Sequence, residues 1–167
     1  MRNYLLILFI MTSISSVAQQ GKATTEKKTF KRTTSISQVI QAPPSVVWGL
    51  LSDAQDYPRW NSTIVSLEGE IREGGKIRLR STLDESRTFK LKVKEFIPER
   101  KLVWGDALGE RVYTLENKNG STYFSMTEKI GGPIFPLFAN KIPPFDESFE
   151  QFTADLKREA EKIAKER

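Results

Sequence analysis

Two absences limit the chemistry available to this chain. Its 167 residues include no His and no Cys. That excludes Ser-His-Asp and Cys-His catalysis, thiol redox chemistry and the usual zinc sites. No metal and no cofactor is expected. Any proton transfer would fall to Asp, Glu, Lys or Tyr. There is no Gly-rich phosphate loop and no EF-hand spacing. Arg111, Tyr113 and Leu115 share one parity in a strand-like segment, and Phe124, Met126 and Glu128 share one in the next. If the apolar members face the core, Arg111, Tyr113 and Glu128 become polar groups on an apolar wall, the usual make-up of a ligand pocket. The parity of Phe89, Leu91 and Val93 also turns Glu95 inward. Arg111 carries a fork that suits a ligand carboxylate. Glu128 is either a general acid or base working with Arg111 and Tyr113, or that arginine's structural counter-ion, because a buried charge must be paired.

Aromatic residues supply the rest of the wall. In Asp53–Asn61, Tyr57 and Trp60 stand three residues apart around Pro58. A Pro-broken turn carrying two large rings reads as the rim of a pocket. Trp48 and Trp104 read as core aromatics, with Trp104 on the ligand-facing wall beside Phe89, Leu91, Phe124 and Met126. Phe145, Phe149 and Phe152 repeat at helical spacing and would line the opposite wall.

The elements that position these residues follow from periodicity. Thr34 to Ala42 has strand composition, and Pro43-Pro44 ends it. Val46, Val47, Leu50 and Leu51 then give the spacing of a short buried helix, with proline in its first turn. A second short helix or turn spans Asp53–Asn61. Alternation of period 2 follows, predicting strands near 63–69, 75–82, 87–97, 100–106, 110–117 and 121–130. Gly131-Gly132-Pro133 closes this meander, and a long amphipathic helix carries Phe145, Phe149, Phe152, Leu156, Ala160 and Ile163 on one face. One such helix against a curved antiparallel sheet is an α+β solution. Between them, Ile134–Phe138, with Phe135 and Phe138, is an apolar segment flanked by prolines. It reads as a plug or inner lid, and a membrane-touching tip is the alternative.

The N-terminus has the pattern of a signal peptide over residues 1–18. Arg2 precedes an apolar run, Tyr4–Met11, and Ser16-Val17-Ala18 sets small residues for cleavage near Ala18-Gln19. The run is shorter than the roughly 20 apolar residues that span a bilayer. The expectation is an exported protein, periplasmic or secreted. Residues 19–33 are polar, with a basic group at Lys22, Lys27, Lys28, Lys31 and Arg32, and read as a flexible solvated lead-in rather than a nucleic-acid arm. Residues 34–167 suit one domain. Net charge is +5, and no nucleic-acid partner is expected.

The sequence resembles the polyketide cyclase/dehydrase and lipid-transport group, also called START-like or SRPBCC, over about residues 36–163. The resemblance rests on Ala42–Asn61 (APPSVVWGLLSDAQDYPRWN), Phe89–Trp104, Arg111–Glu116 and Gly120–Phe138. It implies a helix-grip fold: about seven antiparallel strands wrapped on a long C-terminal helix, with two short helices after the first strand. It also implies an apolar tunnel between sheet and helix for a hydrophobic small molecule or lipid. A carrier function, a cyclase, dehydratase or lyase activity, and an envelope protein that contacts membrane or a partner are all compatible with it. Pro143-Pro144 departs from the family, whose helix often runs on through that position.

Overall fold

A computed structural model describes residues 20–166. The expected signal peptide lies outside the described residues. Eight antiparallel strands form one sheet in the order β1-β2-β8-β7-β6-β5-β4-β3. They are β1 (Thr24–Lys28), β2 (Lys31–Ile40), β3 (Ile64–Gly69), β4 (Lys76–Ser81), β5 (Asp84–Ile97), β6 (Lys101–Gly105), β7 (Gly109–Lys118) and β8 (Ser121–Gly131). Helices α1 (Pro44–Ser52) and α2 (Tyr57–Trp60) lie between β2 and β3, and α3 (Asp146–Lys165) ends the fold. This is the helix-grip architecture.

Local chemistry accounts for the elements. Pro44 sits in the first turn of α1, and Val46, Val47, Leu50 and Leu51 bury one face of it. The Asp53 carboxylate accepts from the Gln55 N–H and starts the 3-10 turn before α2. The β7–β8 hairpin turns at Asn119-Gly120, with φ of 54° and 88°, the left-handed pair that a tight hairpin needs. Gly105 is required for space, because a Cβ there would meet the Gly109 carbonyl at 2.2 Å. Helix α3 starts with Asp146 and Glu147 and ends with Lys162 and Lys165, which complement its dipole. Its inner face, Phe149, Phe152, Leu156 and Ala160, is buried. As expected, the Pro143-Pro144 pair keeps α3 from extending backward: the chain from Gly132 to Phe145 makes two separate 3-10 turns, Phe135–Leu137 and Ala139–Lys141.

Two expectations need correction. The stretch 19–33 is not a free lead-in: residues 24–28 form strand β1, and β2 begins at Lys31. The strand is held by its ladder and by α3, through Ala23 N–H to Glu150 Oε1 (3.0 Å) and Thr25 Oγ1 to Asp146 Oδ1 (2.9 Å). It has no apolar alternation, so periodicity alone could not reveal it. Glu95 does not point inward. A bulge between Val93 and Glu95 reverses the parity of β5. Phe96 takes the inner position against Trp48, with ring centroids 5.0 Å apart, and Glu95 pairs with Lys101 at 2.7 Å.

Candidate functional site

The core of the molecule is the cleft between the concave face of the sheet and α3. Pairing places Trp104 beside Arg111, Tyr113 beside Met126, and Arg111 beside Glu128. Leu102, Trp104, Tyr113, Phe124 and Met126 from the sheet meet Phe149, Phe152 and Leu156 from α3, and all are buried. The rings pack edge to face or tilted against one another. Trp104 and Tyr113 have centroids 5.0 Å apart, and Tyr113 and Phe152 5.9 Å apart. The tunnel expected here is therefore filled with side chains. Two surface depressions among the described residues lie elsewhere. One of about 550 Å3 lies against β4 and β5, where Lys76, Arg78, Lys90 and Lys92 line it. Another, of about 330 Å3, lies at the loop end near Phe30 and Leu108.

Tyr57 and Trp60 are core residues, not a rim: they are 0% and 3% exposed. The Tyr57 hydroxyl donates to the Leu51 carbonyl at 2.9 Å, and both rings pack on Phe152. The residues that follow fasten α3. Asn61 Nδ2 donates to the Phe152 carbonyl at 3.2 Å. Ser62 gives both its backbone N–H (2.8 Å) and its hydroxyl (2.6 Å) to Asp155 Oδ2. Gln151 Nε2 (3.0 Å) and Arg158 (2.7 Å) reach Asp155 Oδ1. Burial would raise the Asp155 pKa, but the Ser62 hydrogen bonds and Arg158 outweigh it and hold it below the ordinary carboxylate value. The Tyr-Pro-x-Trp-Asn block is thus a clamp between α2 and α3.

At the end of the cleft near the β6–β7 turn, polar groups enter the wall. Arg111 Nε donates to Glu128 Oε2 at 2.5 Å, and the two side chains are 14% and 15% exposed. Burial opposes the Arg111 charge, but Glu128 outweighs it and keeps the guanidinium charged. The Arg111 guanidinium lies 5.1 Å from the centre of the Phe149 ring. Phe149 stacks on Phe145, with planes 3° apart, and Arg32 covers the Phe145 ring at 4.5 Å. Arg32 donates to the carbonyls of Ile142 (3.1 Å) and Pro143 (2.8 Å), which holds the 132–145 segment to the sheet. Its pKa is lowered by burial, against the pull of Asp146 and Glu128. The site therefore sets Arg32 and Arg111 around Glu128, with Asp146 at the start of α3.

The Tyr113 hydroxyl completes this wall. It is buried and has no hydrogen-bond partner. The Arg111 guanidinium stands within reach of the oxygen and acts on it, but without the geometry of a full hydrogen bond. Burial pushes its pKa above the ordinary tyrosine value, so it is a neutral hydroxyl. Trp60 Nε1 and Thr153 Oγ1 are also buried without partners. All three lie on elements that meet around Phe152.

The structure brings Trp104, Arg111, Tyr113, Glu128, Phe145, Phe149 and Phe152 together. Phe124 and Met126 are fully buried behind them. Phe89 and Leu91 are half-buried farther along the sheet, on β5 beside β4, and Arg87 covers the Phe89 ring at 4.6 Å. The Ile134–Phe138 segment is divided: Phe135 is buried and packs on Phe138, while Ile134 and Leu137 are 55% and 82% exposed. Arg32 is the site residue missed in the sequence, where it looks like one more cation of a basic run. Carrying the parity of Ile40 and Ile36 back along β2 would have turned it inward.

Residues 31–161 match the family described as polyketide cyclase / dehydrase and lipid transport, and the chain belongs to it. No curated protein matches the chain. Among solved structures it is similar to a conserved protein of unknown function from Enterococcus faecalis. That match has a TM-score of 0.62 and 15% identity, covering 85% of this chain and 78% of that one. It is similar to a START superfamily protein from Mycobacterium smegmatis, with a TM-score of 0.58 and 16% identity over 78% and 98% of the two chains. It is also similar to CalU16 from Micromonospora echinospora, with a TM-score of 0.57 and 18% identity over 89% and 93%. At such identities the likeness establishes the fold.

Proposed function

We propose that the protein is an exported binding or carrier protein for a hydrophobic small molecule or lipid with an anionic group. The apolar body would lie between the sheet and α3, and the anionic group would meet Arg111 and Tyr113. One observation carries this reading. A fully buried, unpartnered tyrosine hydroxyl stands beside a buried arginine on an apolar wall. An unmade hydrogen bond in a core costs stability, and recognition of a ligand would recover it. Membership of the polyketide cyclase / dehydrase and lipid transport family is compatible with this reading.

A ligand would enter by displacing the Gly132–Phe145 segment together with Phe145 and Phe149. That segment is the least committed wall of the cleft: its 3-10 turns are short, and Phe135 lies outside the main core cluster. The cyclase or dehydratase alternative requires Glu128 to leave Arg111 and act as a base, whereas the pair binds it as a counter-ion. Export rests on the Arg2, Tyr4–Met11 and Ser16–Ala18 pattern. Protein isolated from its own cells would be weighed intact, then extracted with organic solvent for mass spectrometry. The reading expects a chain beginning at Gln19 and a co-purified anionic amphiphile. An uncleaved cytoplasmic chain would overturn export. An empty extract, with no uptake of added fatty acid, would overturn the carrier reading.

A further inference from the structure

Six large apolar side chains are exposed among the described residues, and four of them lie on loops at one end. Phe30 (58%) is in the β1–β2 turn, Leu108 (37%) is in the β6–β7 turn, and Ile134 (55%) and Leu137 (82%) follow β8. Backbone hydrogen bonds tie the three loops together: Gly131 N–H to the Leu108 carbonyl (2.9 Å) and Gly132 N–H to the Phe30 carbonyl (3.0 Å). The other two, Val39 and Ile97, lie apart from this group on β2 and at the end of β5. Such a grouping, drawn from separate parts of the chain, differs from scattered surface leucines.

The same end is basic. Lys31, Lys94 and Lys129 line the depression between Phe30 and Leu108, against Asp106 and Glu110. Lys94 reaches Glu110 at 3.4 Å, while Lys31 and Lys129 make no ion pair among the described residues. Lys27 and Lys28 precede Phe30 on β1, and Lys28 pairs with Glu26.

We propose that this end is a docking surface for an anionic lipid bilayer. Phe30, Leu108, Ile134 and Leu137 would enter the interface, and the lysines would meet the headgroups. Apolar tips with lysines set between them, in excess over Asp106 and Glu110, match a layer that is apolar below and negative above. A second copy of the chain fits less well, because a two-fold contact would set these lysines against themselves. The surface lies at the end of the cleft where Arg32, Arg111 and Glu128 stand. The docking proposal itself does not depend on the ligand reading.

The absence of cysteine gives a direct test on the full chain. Leu137→Cys and, at the opposite end of the sheet, Lys118→Cys would each carry an environment-sensitive dye. The probes are phosphatidylcholine vesicles with and without phosphatidylglycerol. Docking predicts a blue shift at 137 but not at 118, stronger with phosphatidylglycerol and weakened by salt. In the labelled chain, Phe30→Asp should weaken vesicle partitioning about tenfold. No shift at 137, or equal shifts at both positions, would overturn the proposal. Equal shifts would point to the N-terminal apolar run instead. A shift at 137 that grows with protein concentration in the absence of vesicles would assign the surface to self-association and also overturn it.

Discussion

Replacing Tyr113 by Phe removes one oxygen from the centre of the molecule, and the structure predicts that the free protein becomes more stable. The ring contacts with Trp104, Phe124 and Phe152 are retained, because they involve the aromatic face and edge. What is lost is a hydroxyl that is buried and makes no hydrogen bond. A buried polar group left unsatisfied costs about 1–3 kcal/mol. Removing it should recover most of that amount, and for a domain of this size each kcal/mol is worth about 3 °C in Tm. The expectation is a rise of about 3–9 °C in a calorimetric or circular-dichroism melt, with a matching shift in the urea midpoint at constant slope. The gain should come with weaker binding of an anionic amphiphile, since the same hydroxyl is assigned to the ligand. A fall in Tm would refute the reasoning, because it would mean that the oxygen is already satisfied in the free protein, by Arg111 or by a water molecule.

Further outcomes follow from the charged residues. Arg111→Met strands the Glu128 carboxylate and should cost about 3 kcal/mol, the lower end of the range for a broken buried pair because Arg32 stands nearby. Arg111→Met combined with Glu128→Leu should recover most of that loss in the same urea titration. A double variant as unstable as the single one would show that the pair contributes through packing rather than charge. Asp155 has a folded-state pKa below its unfolded value of 3.8. Its contribution is therefore complete above that value and fades as the pH falls through the lower, folded pKa. Asp155→Asn should be less stable at neutral pH and lose less stability on acidification below about pH 4. Parallel pH profiles for the two proteins would contradict this.

The fold was legible because the apolar period changes from 3.6 to 2 and back, and turn residues mark each change. The family block Ala42–Asn61 was equally plain, but its role was not. Sequence cannot say whether Tyr57 and Trp60 face an opening or a helix. Here Phe152 meets both rings, and Asn61 and Ser62 fasten α3. Arg111, Tyr113 and Glu128 were found by parity because β7 and β8 pair without irregularity. Glu95 was misplaced because one bulged residue inverts everything after it. Strand β1 and Arg32 stayed hidden for other reasons. Strand β1 is placed by long-range contacts with α3 that leave no periodic mark, and Arg32 shares the inward parity of Ile36 and Ile40 but sits where the β2 pattern turns polar and basic.

The central claim is that the cleft takes an apolar molecule by its anionic group. Titration of the tryptophan fluorescence with palmitate and with hexadecanol tests it most directly, since Trp60 and Trp104 lie in that cleft. The account predicts saturable binding of palmitate, weaker binding of the alcohol, and about tenfold or greater loss of palmitate affinity in Arg111→Met/Glu128→Leu. Equal binding of acid and alcohol, or palmitate affinity unchanged in that variant, would contradict it.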